Sequence, residues 1–103
     1  MARVCIAVSS LPWLFGPYQH QAALIGKGLA ARGHTLFWLP TSLQLDEKEY
    51  SSPIQAAQLA GQRPPASDTE YGWMRLIGTR FPSPPAVTAS HMNRLLQRFN
   101  IDR

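Results

Sequence analysis

A continuous apolar run near the N-terminus, Val4-Cys5-Ile6-Ala7-Val8, limits the fold more than any other feature of the chain. It is rich in β-branched residues and stops at Ser9-Ser10, ahead of Pro12. A run apolar at consecutive positions reads as a strand buried on both faces, the situation inside a parallel sheet. Cys5 within it reads as a small core residue. A connecting loop follows to Gly16, and then a helix start is expected. Gly16 suits the N-cap and Pro17 the first helical position, where a missing N–H costs nothing. The helix is predicted to run to about Arg32, with Ala22, Ile25, Leu29 and Ala30 on its buried face. Gly26, Gly28 and Ala31 are small enough to let it lie close to a sheet. Gly33 follows as a left-handed C-cap. Thr35-Leu36-Phe37-Trp38-Leu39 is the second strand, ended by Pro40. Residues 3–39 therefore predict a right-handed, parallel βαβ unit.

The rest of the chain carries weaker signals. Residues 41–72 read as loop with a short helix from Ser52-Pro53 through Leu59, closed by Gly61. Residues 73–103 read as a possible strand, Trp73 to Ile77, interrupted by Arg75, and then a helix. That helix begins after Ser83-Pro84-Pro85 and ends near Phe99, with Asn100 as C-cap. Met92, Leu95, Leu96 and Phe99 mark its buried face. In a β-α-β-α series the next element is a strand, and Ile101 stands where it begins. The expected fold class is α/β, a Rossmann-like parallel sheet with flanking helices. All 103 residues are expected to form a single, partial domain with the next strand absent.

Composition narrows the function classes. The chain has 103 residues, 45% hydrophobic and 16% charged, which suits one small globular domain rather than a disordered chain. A whole α/β nucleotide-dependent enzyme does not fit that length. No apolar run approaches the roughly 18 residues of a membrane span, and the short run after Arg3 is not a secretory signal. One cysteine excludes an internal disulfide and a Cys-based zinc site. A cytoplasmic location is expected, with contact at the inner face of a membrane as a variant. The net charge of +4 comes mostly from the second half, and its arginines are scattered. Without a basic cluster, no nucleic-acid partner is expected.

The first strand-to-helix junction is the candidate site. Ligands of open parallel sheets bind at the carboxyl ends of the strands, and a helix N-terminus there favours phosphate. Gly16 allows close approach to the backbone, Tyr18 lies beside it, and His20 sits one turn inside the helix as a base or hydrogen-bond donor. Trp13 and Phe15, with Leu14 and Tyr18, form an apolar cluster at this mouth. It reads either as loop packing or as a lip for an acceptor or a lipid surface. His34 reads as a structural residue at the helix exit, His91 as a surface or half-buried residue of the last helix, and Asp46, Glu47 and Glu49 as a solvated acidic loop. The three histidines have no metal-ligand spacing, and no metal site is expected.

These residues resemble a known family. Arg3 to Val8, then Gly16-Pro17-Tyr18-Gln19-His20-Gln21-Ala22-Ala23-Leu24, then Gly28-Leu29-Ala30-Ala31-Arg32-Gly33-His34-Thr35-Leu36, look like the start of a GT-B glycosyltransferase of the family-4-like branch. Met92 to Asp102 is similar to that family's helix before a strand. The resemblance implies the N-terminal, acceptor-side domain of an enzyme that transfers a sugar from a nucleotide-sugar donor to a sugar or lipid acceptor. The donor-binding half is absent, so the chain is expected to be inactive alone and to hold no permanent cofactor. The family's donor-contacting Gly-Gly pair falls on Gly16-Pro17, where the second residue has no N–H. Its catalytic histidine position falls near Tyr18, so His20 is a candidate by proximity only. The alternatives are a non-catalytic Rossmann-like module binding a nucleotide or a protein, or a truncated gene product. An unpaired sheet edge makes self-association a further expectation.

Overall fold

The computed structural model describes residues 2–14, 16–80 and 89–102. Its elements run β1 (Arg3–Val8), α1 (Pro17–Ala31), β2 (Thr35–Pro40), β3 (Glu49–Tyr50), α2 (Pro53–Leu59), a single 3-10 turn (Thr69–Tyr71), β4 (Met74–Ile77) and α3 (Ala89–Arg98). The sheet order is β1-β2-β4-β3. β1, β2 and β4 are parallel, with Arg3 opposite Thr35 and Leu36 opposite Met74, and β3 is an antiparallel edge on β4. The result is an open, mostly parallel α/β sheet flanked by three helices, a Rossmann-like topology in general terms.

Two apolar layers follow from the period of two along β2. Leu36 and Trp38 face one side with Met74 and Leu76, where α1, α2 and their loops cover them. Phe37 and Leu39 face the other side with Ile77, where Leu95 and Ile101 cover them and Cys5, Met92, Leu96 and Phe99 complete the layer. Burial among these apolar side chains pushes the Cys5 thiol up to about 11, so it is protonated and unreactive at neutral pH. On the α1 side an aromatic row links Trp13, Tyr71, Trp73 and Trp38 at successive centroid distances of 5.0, 6.4 and 6.2 Å.

The helix boundaries agree with their caps. α1 starts with Pro17 after Gly16, and Gly33 takes φ 92° just beyond its end. Ser52 caps α2 by accepting from Gln55 N–H, and Gly61 follows at φ 70°. Asn100, at φ 55°, ends α3. Residues 81–88, where the start of this last helix was predicted, lie outside the described residues.

Three expectations change. β1 is half-buried along its length and lies at an edge of the sheet, not between two neighbours. Ile25 is 63% exposed, and Gly26 takes the place on the sheet assigned to it. A Cβ at Gly26 would come within 2.7 Å of the Trp73 ring and 3.2 Å of Ile6 Cδ1, so only glycine lets α1 settle this close. Gly28 makes no such approach. Finally, β3 went unpredicted. Two residues carry no periodicity, and tertiary pairing with β4 alone defines them.

At the far end, α3 delivers the chain to the outer side of β1. Asp102 N–H donates to Arg3 O at 2.8 Å, and Arg3 N–H donates to Asp102 Oδ2 at 3.0 Å. The Arg3 guanidinium holds the carbonyls of Asn100 and Phe99 and stacks 4.9 Å above the Phe37 ring.

Candidate functional site at the mouth of the first βαβ unit

The carboxyl ends of β1, β2 and β4 meet three connecting segments. Beyond β4 the end is closed. Gly78 N–H donates to Lys48 O at 3.0 Å and Leu45 N–H to Thr79 O at 3.3 Å. A Cβ at Gly78 would lie 2.6 Å from Leu45 Cβ and 3.1 Å from Asp46 O, so the absence of a side chain admits this covering segment. Between β1 and β2 the ladder simply continues: Thr41 N–H donates to Val8 O at 2.7 Å and Ser42 N–H to Ser9 O at 3.0 Å. The Ser42 hydroxyl also donates to Ser9 O. Trp38 reaches up through the layer, and its Nε1–H holds Ser10 O at 2.9 Å. The first loop is thus pinned at its root.

Its outer half is pinned as well. Trp13 Nε1–H donates to Arg63 O at 2.6 Å, and Arg63 Nη2 returns a bond to Trp13 O at 2.8 Å. With its ring against Tyr71, Trp13 is committed to holding the loop on the domain. Phe15, the other residue expected in an apolar lip, lies outside the described residues. Tyr18 is 78% exposed on the first turn of α1. His20 is exposed, and its N–H makes the first helical bond to Gly16 O at 3.2 Å.

Sequence reasoning passed over the residue that the fold places in the mouth. Gln19, between Tyr18 and His20, is only 9% exposed. Its side chain folds back across the helix start, so that a Cβ on Gly16 would sit 2.2 Å from Gln19 Oε1. Among the described residues no hydrogen bond reaches its carboxamide. The residue is buried, but its amide is not among the side-chain polar atoms sealed from solvent without a partner; among the described residues that atom is Trp73 Nε1. The Gln19 amide lies beside the free N–H groups and positive dipole end of α1. The only advance signal was glutamine at the third helical position, on the sheet-facing side with Ala22 and Gly26.

Other polar clusters are internally satisfied. Asp46 and Glu47 are not a bare acidic loop. Arg80 pairs with Asp46 at 2.9 Å. Arg94 grips Glu47 with two bonds of 2.7 and 2.8 Å, and Arg98 adds a third contact at 3.0 Å. Buried Thr79 donates to Glu47 and lies 3.3 Å from His91 Nε2. The Arg94 bonds, helped by Thr79 and Arg98, hold the Glu47 carboxyl below its ordinary range against a smaller opposing effect of burial. His34 accepts a bond from Ala2 N–H at 3.1 Å and joins the helix exit to the N-terminus, as a structural residue should.

A cavity of about 270 Å³ lies at the other end of the sheet, between β3, α2 and the start of β4. Both of its carboxylates are already used: Asp68 by Ser52 Oγ and Ile54 N–H, both at 2.9 Å, and Glu49 by Arg75 at 3.6 Å. No group of three or more histidine, cysteine, aspartate or glutamate residues is placed to hold a metal ion among the described residues. No helix among them is long and apolar enough to cross a membrane.

Comparison with known proteins adds no family: no family model, no curated protein and no solved structure matches this chain.

Proposed function

We propose that the chain is a Rossmann-like binding module, non-catalytic on its own, that takes a phosphorylated ligand of the nucleotide type at the N-terminus of α1. The observation that carries this reading is Gln19, a side chain only 9% exposed whose amide folds over Gly16 at the start of α1. A phosphate oxygen there can accept from the Gln19 amide N–H and from the first N–H groups of α1 together. Tyr18 and His20 stand at the rim for a base or sugar. Titration of the 103-residue chain with inorganic phosphate, a nucleoside monophosphate and a nucleoside diphosphate, followed by amide chemical shifts, tests it. Shifts centred on residues 16–20, and at least about tenfold weaker binding by Gly16→Val, are expected. Shifts scattered over the arginines, or affinity unchanged in Gly16→Val, would sink the idea.

A second, finer reading is the acceptor-side part of a GT-B-like glycosyltransferase, with a nucleotide-sugar donor and a sugar or lipid acceptor. What favours it is the placement of α3. It lies on the face opposite α1 and α2 and brings Ile101-Asp102 to the outer side of β1. A right-handed doubly wound sheet sets its next strand there. Sugar transfer restored by adding a separate donor-binding domain, with none from the chain alone, is the outcome this reading requires.

A further inference from the structure

The outer side of β1 carries an incomplete set of hydrogen bonds. Backbone groups alternate in direction along a strand of a parallel pair. Arg3 turns both its N–H and its C=O outward, where Asp102 takes both. Cys5 and Ala7 therefore also face outward, and among the described residues nothing bonds their outward N–H and C=O groups. Two rungs are open, placed symmetrically about Ile6.

The helix above this edge presents three large apolar side chains to solvent. α1 contains one charged residue in fifteen, Lys27. Tyr18, Leu24 and Ile25 are 78%, 58% and 63% exposed. At about 100° per residue, Tyr18, Ile25 and Arg32 share one flank, roughly a quarter-turn from sheet-facing Gly26. With the right-handed crossover that βαβ units take, that flank looks outward past β1. The open rungs and the bare flank are therefore on the same side of the molecule.

We propose that this side is the interface of a homodimer, in which β1 pairs antiparallel with β1 of a second copy about a two-fold axis through Ile6. That register sets Cys5 opposite Ala7 of the second copy, and Ala7 opposite its Cys5. All four open groups of each strand are then satisfied, and the rung already closed by Asp102 stays outside the seam. The helices fit the same axis. α1 lies across β1 and β2 and reaches β4 more lightly. With strands spaced about 4.8 Å apart, the two α1 axes stand roughly 10–13 Å apart, at or just beyond ordinary helix packing, a gap that the large Ile25 and Tyr18 side chains can fill. Gly26 lies level with Ile6, within 3.2 Å of its Cδ1 for an added Cβ. Ile25 consequently meets Ile25 of the second copy near the axis. Tyr18 and Arg32, seven residues either side of it, meet each other's counterparts, a ring against a cation. The helices run antiparallel with no acidic residue between them, so neither dipole nor charge opposes contact. A second copy suits this surface because the pattern is its own complement under a two-fold rotation. The proposal is independent of any ligand at the mouth.

Two measurements on the full chain test it. Light scattering across a concentration series should report twice 11.5 kDa for the wild type. Ile25→Asp should weaken dimerisation by about tenfold or more while leaving the circular dichroism spectrum unchanged, because Ile25 contributes little to the folded protomer. In Cys5→Ala/Ile6→Cys the two introduced thiols face each other at a narrow, non-hydrogen-bonded pair, and mild oxidation should yield a covalent dimer. A wild type that stays monomeric at high micromolar concentration overturns the proposal and assigns the edge to a strand from another segment. A dimer indifferent to Ile25→Asp, or an absence of cross-linking in a folded double variant, overturns it equally.

Discussion

α1 and α3 cover opposite faces of one sheet, yet only one of them is finished against water. α3 places Leu95 in the core and turns Asn93, Arg94, Gln97 and Arg98 outward, so solvent and Glu47 complete its other side. α1 buries Gln19 and Gly26 and packs Ala22, Ala23, Leu29 and Ala30 inward, but presents Tyr18, Leu24 and Ile25 to solvent. Large apolar side chains on the outer side of a helix belong where that side is covered too. The difference teaches that a helix's burial in one protomer and its sequence pattern report separate things. For α3 the two agree. For α1 the pattern asks for more cover than the domain supplies.

The sharpest way to break this comparison is to truncate one apolar residue on each helix. Leu95 is 1% exposed, and Leu95→Ala should cost about 2–5 kcal/mol in urea unfolding, through lost burial and the cavity left behind. Ile25→Ala, measured under dilute monomeric conditions, should change stability by less than about 0.5 kcal/mol. Equal costs would mean that α1 has no uncovered side. Within α1 the two glycines draw the same line on a smaller scale. Gly26→Ala drives a methyl into the Trp73 ring and should destabilise by about 1–3 kcal/mol. Gly28→Ala meets nothing within 4 Å and should stabilise by about 0.4–1 kcal/mol, because alanine is the better helix former and restricts the unfolded chain. Thermal denaturation of the pair settles the sign of each.

How far the sequence reached follows from the range of the interactions involved. The βαβ unit of residues 3–39 was legible because its signals are local: an apolar run, a Gly-Pro start, a glycine at positive φ, a second run. The α3 face was legible for the same reason. The rotation of α1 was not, since Ile25 and Gly26 fit helical spacing equally well. Only the bulk of Trp73, far along the chain, selects the glycine. The candidate mouth was read as a strand end beside α1, and Gln19 within it was passed over. Tyr18 and His20 drew attention by their chemistry, whereas Gln19 matters by its direction. The acidic stretch at 46–49 looked solvated because its partners, Arg75, Arg80, Arg94 and Arg98, come from β4 and beyond.

That acidic stretch provides the smallest and most specific test, on the side that solvent completes. The folded-state carboxyl of Glu47 is lowered by Arg94 first, with Thr79 and Arg98 adding to it. A carboxylate whose folded value lies below its unfolded one stabilises the fold above the unfolded value, about 4.3 for glutamate. That contribution is lost as pH falls through the folded value. The wild type should therefore lose stability on acidification below about pH 4.3 more steeply than Glu47→Gln, and the two should converge at the acid end. Arg94→Ala should flatten the same part of the profile. Because both arginines are about half exposed, salt should shrink the difference. Unfolding midpoints taken across that pH range at low and high salt give the answer. Parallel profiles for wild type and Glu47→Gln would show that Arg94 and Glu47 are neighbours without being linked, leaving α3 held by Leu95 and its apolar neighbours alone.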